Sequence, residues 1–248
     1  MTARRLLIAV LLALGAGLAA GPALAQSVTF DIGDAGGSTT GRMIQMIAAI
    51  TVLSLAPSIL IMMTSFTRIV IVLSFLRQAL GIQQVPPNTV MISLALFLTF
   101  FIMAPVLERS YADGIQPLIE ERIDETEAMR RAFAPFRDFM LRHTNEKDLR
   151  LFAEMARIDD IAAPADVPAH VLIPAFMISE IKRAFEIGFL LFLPFLVIDM
   201  VVSSILMSMG MMMLPPTMVA IPFKIIFFVL VDGWYLIAGS LARSFGTL

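Results

Sequence analysis

Long uncharged runs flank a single charged block along this chain. From Met43 to Thr67 twenty-five residues pass without a charge, more than the ~20 that a helix needs to cross a bilayer core about 30 Å thick. Apolar character resumes beyond Arg68 as Ile69 to Leu76. The first helix is therefore predicted to run on to about Leu80, longer than a membrane is thick. The connector Gly81 to Asn88, with Pro86-Pro87 inside it, stops that helix. A second span is predicted over Thr89 to Leu107.

The charged block itself carries helical periodicity. Leu149, Phe152, Ala153 and Ala156 fall at i, i+3, i+4 and i+7, one face of an amphipathic helix. Asn145 with Asp148 starts it, and Phe133, Phe136, Phe139 and Met140 form a similar stripe upstream. Pro164 and Pro168 punctuate the return to apolar sequence. Val171 to Ile198 is then apolar apart from Glu180, Lys182, Arg183 and Glu186, Met200 to Phe223 has no charge, and Ile225 to Val231 continues beyond Lys224. Gly210 and Pro215-Pro216 divide this stretch into two helices near residue 212.

The pattern predicts an all-α membrane protein in which two long helical hairpins, residues 43–107 and 171–248, are separated by a small soluble helical domain over 108–170. Four spans is the simplest count. Pro86-Pro87-Asn88-Thr89-Val90 and Pro215-Pro216-Thr217-Met218-Val219 hint at a duplicated hairpin, although proline is common at helix starts in any case.

Composition sharpens this picture. Apolar residues make up 58% and charged residues 15%, against about 45–50% and about 25% in soluble domains. Residues 108–166 hold nine Lys/Arg and fourteen Asp/Glu, more than half of all the charges. The net charge of −2 and the lack of a Lys/Arg-rich run give no field for nucleic acid. With no cysteine, disulfides, thiol catalysis and thiolate metal sites are excluded. Arg4 and Arg5, the apolar run Leu6 to Ala20 and the small residues of Ala23-Leu24-Ala25 follow the order of a secretory signal peptide. Residues 1–25 are therefore expected to be cleaved, and 26–42 to form a flexible lead-in; the alternative is an uncleaved anchor helix. Cleavage starts the mature chain outside the cytoplasm, which makes the charged domain periplasmic and both hairpin tips cytoplasmic. Arg68 and Arg77 near the first tip agree.

Charges within the apolar runs need protein or water around them, since each costs about 2.5–3.5 kcal/mol at a bilayer centre. Glu180 with Arg183 and Lys182 with Glu186 are spaced to pair along one helix. Asp199 and Lys224 lie thirteen residues before and twelve after residue 212, which in an antiparallel hairpin puts both roughly 18 Å from the tip. Three readings stay open: an ion pair inside the chain, pairing with another subunit, or a role in proton-coupled gating. Arg68 has no acid at matching depth in its own hairpin, and Asp232 no base in its own. Both point to neighbours beyond the hairpin. Pro57, Pro105, Pro174, Pro194 and Pro222 free backbone carbonyls that must be satisfied again, which suits helices packed in an assembly.

Gly210-Met211-Met212-Met213-Leu214-Pro215-Pro216 is the most unusual segment. Three successive methionines cannot share a helix face, and unbranched Met suits a surface that must seal and re-pack. A ring of such turns could close a pore; ordinary gap-filling by Met is the other reading. Enzyme chemistry finds no support: His143 and His170 are isolated from metal-binding spacing, no Gly-rich phosphate loop or nucleophile elbow occurs, and Asp159-Asp160 reads as a solvated turn. No cofactor or metal is expected.

Ile61 to Ile69 (IMMTSFTRI), Pro86-Pro87-Asn88, Ala95 to Met103 (ALFLTFFIM), Phe139 to Arg142, Ile187 to Asp199, Gly210 to Pro216, and Pro222-Phe223-Lys224 on to Asp232-Gly233-Trp234 form a series of long motifs. Together they resemble the FliP family of flagellar export proteins. In order, they cover nearly everything beyond residue 43. The resemblance implies a core subunit of a type III export gate in the bacterial inner membrane at the flagellar basal body. It implies a homo-oligomeric ring, a pentamer, with FliR- and FliQ-type gate subunits and other export apparatus proteins. Unfolded export substrates would pass through its centre, and the hairpins would build a helical assembly raised largely out of the membrane plane. Carried over, Met211, Met212 and Met213 become a pore gasket. Asp199 and Lys224 become candidates for buried subunit contacts, beside Arg68 and Asp232, which their missing partners already single out. The rival classes are an independent ion or solute transporter relaying through Asp199, and a passive scaffold that never lines the path.

Overall fold

A computed structural model describes residues 39–82, 84–158, 167–211 and 214–246, and all regular structure among them is helical. The expected signal segment 1–25, the lead-in up to residue 38, Asp159-Asp160 and Pro164 lie outside the described residues. The chain divides into two units, residues 1–50 and 51–248. In the first, residues 39–50 form the opening half of helix α1 (Thr39–Met62); the second carries everything that follows.

The helix expected to continue to Leu80 is broken at Met63-Thr64-Ser65 and restarts as α2 (Phe66–Leu80). Thr64 causes the break locally. Its hydroxyl donates to the Ile61 carbonyl at 3.0 Å and faces the Phe66 N–H at 3.4 Å, so side-chain bonds compete with the helical ladder. The restart turns Ser65, Arg68, Ile69, Val72 and Leu73 into the interior. α2 ends where the sequence predicts, at Gly81, whose φ of +76° suits glycine and whose N–H bonds the Gln78 carbonyl at 3.1 Å.

Helix α3 (Asn88–Ile119) starts behind Pro86-Pro87 but runs past the expected boundary at residue 107 for another three turns. Tyr111–Ile115 forms a π-helical turn inside it. The extension is held by α4 (Glu125–His143): Ser110 Oγ donates to the Ala132 carbonyl at 2.8 Å, and Gly114 lies so close that a Cβ there would sit 2.6 Å from the Ala132 nitrogen. Asp124 caps α4 by accepting from the Glu127 N–H at 2.8 Å. Helix α5 (Glu146–Met155) begins at Asn145 as its sequence suggests, with Asn145 Oδ1 accepting from the Lys147 N–H at 3.0 Å. The two aromatic stripes face inward: Phe136, Phe139, Met140 and Ala153 are buried, and Phe133, Leu149, Phe152 and Ala156 pack against them.

Helix α6 (Ala169–Ser208) has 40 residues, about 60 Å at ~1.5 Å per residue and twice a bilayer core. Ser179 docks α5 onto it, accepting from the Asn145 N–H at 2.9 Å and donating to Asp148 at 2.6 Å. Helices α7 (Pro216–Leu230) and α8 (Gly233–Ser244) follow, bent by 63° at Val231-Asp232. Among the described residues two helices, α3 and α6, are long and apolar enough to cross a membrane, or three spans if α7 and α8 count as one. Four spans were expected. The expected first span falls on α1 (Thr39–Met62), whose side chains are only partly described, and the expected fourth falls on the bent pair α7 and α8.

The core joins Ile69, Val72 and Leu73 of α2 to Ile102 and Met103 of α3, Phe139 and Met140 of α4, and Leu172 and Phe176 of α6. Outward faces are equally apolar: Phe97 is 75% exposed and Leu230 80%. Replacing Gly114 by Ala forces α3 and α4 apart, and we expect a loss of about 1–3 kcal/mol. Thermal unfolding of the detergent-solubilised variant measures it; an unchanged midpoint would show that the two helices do not need this close approach.

Candidate functional site

The candidate site is a set of ion pairs set among apolar helices, with the methionine turn at one end of α6. Arg68 on α2 and Glu180 on α6 form its most buried element, both with fully buried side chains. The contact is bidentate: Nε donates to Oε2 at 2.9 Å and Nη2 donates to Oε1. Nη1 donates to the Ser244 carbonyl at 3.2 Å and to Ser244 Oγ at 2.9 Å, and the guanidinium lies 3.7 Å from the centre of the Phe245 ring. One side chain thus ties together α2, α6 and the end of α8. Glu180 was expected to pair with Arg183. Arg68 takes it instead, because a buried fork of donors demands a buried carboxylate, whereas Arg183 is exposed. Part of the signal was in the sequence: Arg68 has no acid at matching depth in its own hairpin, which points to a partner beyond it.

Asp199 and Lys224 meet as an ion pair of 2.6 Å between α6 and α7. Lys224 is buried and also donates to the Ala79 carbonyl at 3.1 Å, so it holds the end of α2 as well. Asp199 Oδ2 takes the lysine, while Oδ1 is buried without a hydrogen-bond partner. Asp232 joins neither cluster. It is exposed at the α7–α8 bend with φ +50°, a left-handed conformation that Asp tolerates.

At the methionine turn, α6 is closed by Gly210 at φ +72°, with the Gly210 N–H on the Met207 carbonyl at 3.1 Å and the Met211 N–H on the Leu206 carbonyl at 3.0 Å. That double bond pattern is the Schellman motif, which needs glycine at the left-handed position. Met211 emerges from it 41% exposed; Met212 and Met213 lie outside the described residues. Pro215-Pro216 then opens α7 where a missing N–H costs nothing.

His143, at the end of α4, is boxed by aromatics. Its ring centre lies 4.7 Å from Phe139 and 5.2 Å from Phe245. Burial, reinforced by the Arg68, Arg183 and Arg142 guanidiniums, lowers its pKa to about 4. Among the described residues no three His, Asp or Glu side chains gather as metal ligands.

Residues 49–241 match the FliP family model. The chain is 56% identical over 243 residues to the flagellar biosynthetic protein FliP of Caulobacter vibrioides, covering 98% of this chain and 91% of that one. It is 54% identical over 211 residues to the protein of that name in Rhizobium meliloti, covering 84% and 86%. With the Bacillus subtilis protein of that name it shares 55% over 202 residues, covering 82% and 91%.

The His143 environment has a consequence for stability. Its folded pKa of about 4 lies below the unfolded value near 6.5, so the unfolded chain binds the extra proton first. The stability tied to neutral His143 is complete above about pH 6.5 and is lost as pH falls toward 4. Melting temperature measured from pH 7 to 5 should therefore fall more steeply for the native chain than for His143→Gln. Parallel profiles would contradict a buried neutral imidazole.

Proposed function

The chain belongs to the FliP family, and on that premise we propose that it is a core subunit of the flagellar protein export gate, forming the channel through which unfolded flagellar subunits cross the inner membrane. In this reading copies of the chain form a pentameric ring with FliR- and FliQ-type subunits and other export apparatus proteins at the basal body. Residues 1–25 are a cleaved signal peptide, 43–107 and 171–248 are the two hairpins, and 108–170 is a periplasmic domain. The protein carries out no catalysis of its own.

One observation carries the reading: the apolar helices turn two ion pairs inward and present large apolar side chains outward. Arg68 pairs with Glu180 and Lys224 with Asp199, while Phe97, Phe100, Phe189, Leu190, Met200 and Leu230 point outward at 64–80% exposure. Lipid could cover such faces over one bilayer thickness, but α6 is about 60 Å long. Part of that length then lies above or below the hydrocarbon, where apolar surface of this extent calls for protein partners. A ring of copies supplies them. It also gathers the turns at Gly210-Met211 into a collar of deformable side chains.

The unpartnered Asp199 Oδ1 favours one rival, a transporter that acts alone with Asp199 as its relay. A single flux experiment separates the two. Changing Met211, Met212 and Met213 together to Ala should make the assembled gate leak ions in proteoliposomes. Unchanged permeability removes the gasket role. Ion flux through the chain alone, abolished by Asp199→Asn, would establish the transporter instead.

A further inference from the structure

A cleft of about 450 Å³ opens where the charged helices meet the end of α3. Phe101, Ile102, Pro105 and Val106 of α3 form one wall, and Pro135 and Phe139 of α4 with Phe245 form the other. Arg109 and Arg142 stand at its rim, with His143 beside them. The lining contains no carboxylate. Arg109 makes no hydrogen bond or ion pair among the described residues, and Arg142 donates only to the Asp138 carbonyl, at 3.3 Å. His143 stays neutral down to about pH 4 and so adds no cation. Two uncompensated guanidiniums thus sit above an apolar floor.

The position of the cleft along α3 identifies what would fill it. The uncharged run of that helix ends at Leu107, and Arg109 is the first cation beyond it, which sets the rim at headgroup level if α3 crosses a bilayer. Phe101 lies eight residues earlier, about 12 Å deeper at ~1.5 Å per residue, and is 61% exposed. An anion alone would satisfy the rim and leave the floor wet. An acyl chain alone would fill the floor and leave both guanidiniums without a counter-charge. We propose that this cleft binds one anionic phospholipid, its phosphate held by Arg109 and Arg142 and the start of an acyl chain laid along Pro105 and Phe101. Guanidiniums suit a phosphate because their planar fork presents paired N–H donors, and basic pockets beside membrane helices are a recognised headgroup environment. The lipid would cement the charged helices to the membrane surface on their own side.

Native mass spectrometry of the full chain in mild detergent tests this, with dioleoyl phosphatidylglycerol and dioleoyl phosphatidylcholine offered at equal concentration. The native chain should retain one phosphatidylglycerol with a preference on the order of tenfold. Arg109→Gln with Arg142→Gln should abolish the preference while elution and melting temperature stay unchanged, since both side chains are exposed. Arg122→Gln, an exposed arginine outside the cleft, should leave it intact. Equal retention of the two lipids by the native chain overturns the proposal. So does a preference that survives in the double variant, or one lost equally in Arg122→Gln. Displacement by inorganic phosphate at matching concentration would reassign the site to a free anion, and displacement by a soluble acidic peptide to a protein partner.

Discussion

The buried pair of Arg68 and Glu180 constrains everything around it. Removing two charges from water costs several kcal/mol per ion, and only close geometry with further hydrogen bonds offsets that. Arg68 has both: two bonds to the carboxylate, two to Ser244, and the Phe245 ring against its plane. These contacts come from two distant parts of the chain, Glu180 on α6 and Ser244-Phe245 at the end of α8. α2 must therefore lie against α6, and the end of α8 must return to the same point. The break at Met63-Thr64-Ser65 belongs to this arrangement, because it separates α2 from α1 immediately before the helix that carries the arginine. Phe245 extends the arrangement to α4 by stacking on Phe139 and meeting His143.

The second pair repeats the logic with less burial. Lys224 joins α7 to Asp199 on α6 and to the last turn of α2 through the Ala79 carbonyl. α2 is thus pinned at both ends by cation contacts while its apolar residues fill the core. Satisfying Arg68, Glu180 and Lys224 within the chain leaves large apolar side chains on the outside of α3, α6 and α7, among them Phe97, Phe189, Leu190 and Leu230. A membrane protein of the FliP family built this way has no polar reason to stand alone and a large apolar reason not to.

Much of this was legible in the sequence, and the failures share a cause. Periodicity placed α4 and α5 and their inward stripes, Gly81 and Gly210 marked helix ends, and equal spacing about residue 212 brought Asp199 to Lys224. Each of those signals is local or nearly so. What could not be read was which distant segment answers an unpaired charge: Arg68 announced a missing partner, but Glu180 had two arginine or lysine neighbours within four residues and looked satisfied. Hydropathy also measured apolar length without testing helix continuity. It therefore missed the side-chain competition of Thr64, the bend at Asp232 and the extension of α3 across a charged boundary, where Gly114 admits α4. The cleft at Arg109 and Arg142 joins residues thirty-three positions apart, beyond the reach of any periodic pattern.

A double-mutant cycle on Arg68 and Glu180 tests the central constraint most directly. Unfolding free energies would be compared for the native chain, Arg68→Met, Glu180→Met and the double variant in one detergent. Each single change leaves an uncompensated buried charge and should cost about 3–5 kcal/mol, and the double change far less than the sum. Losses that simply add would contradict it, showing that the two residues are buried side by side without holding the helices together.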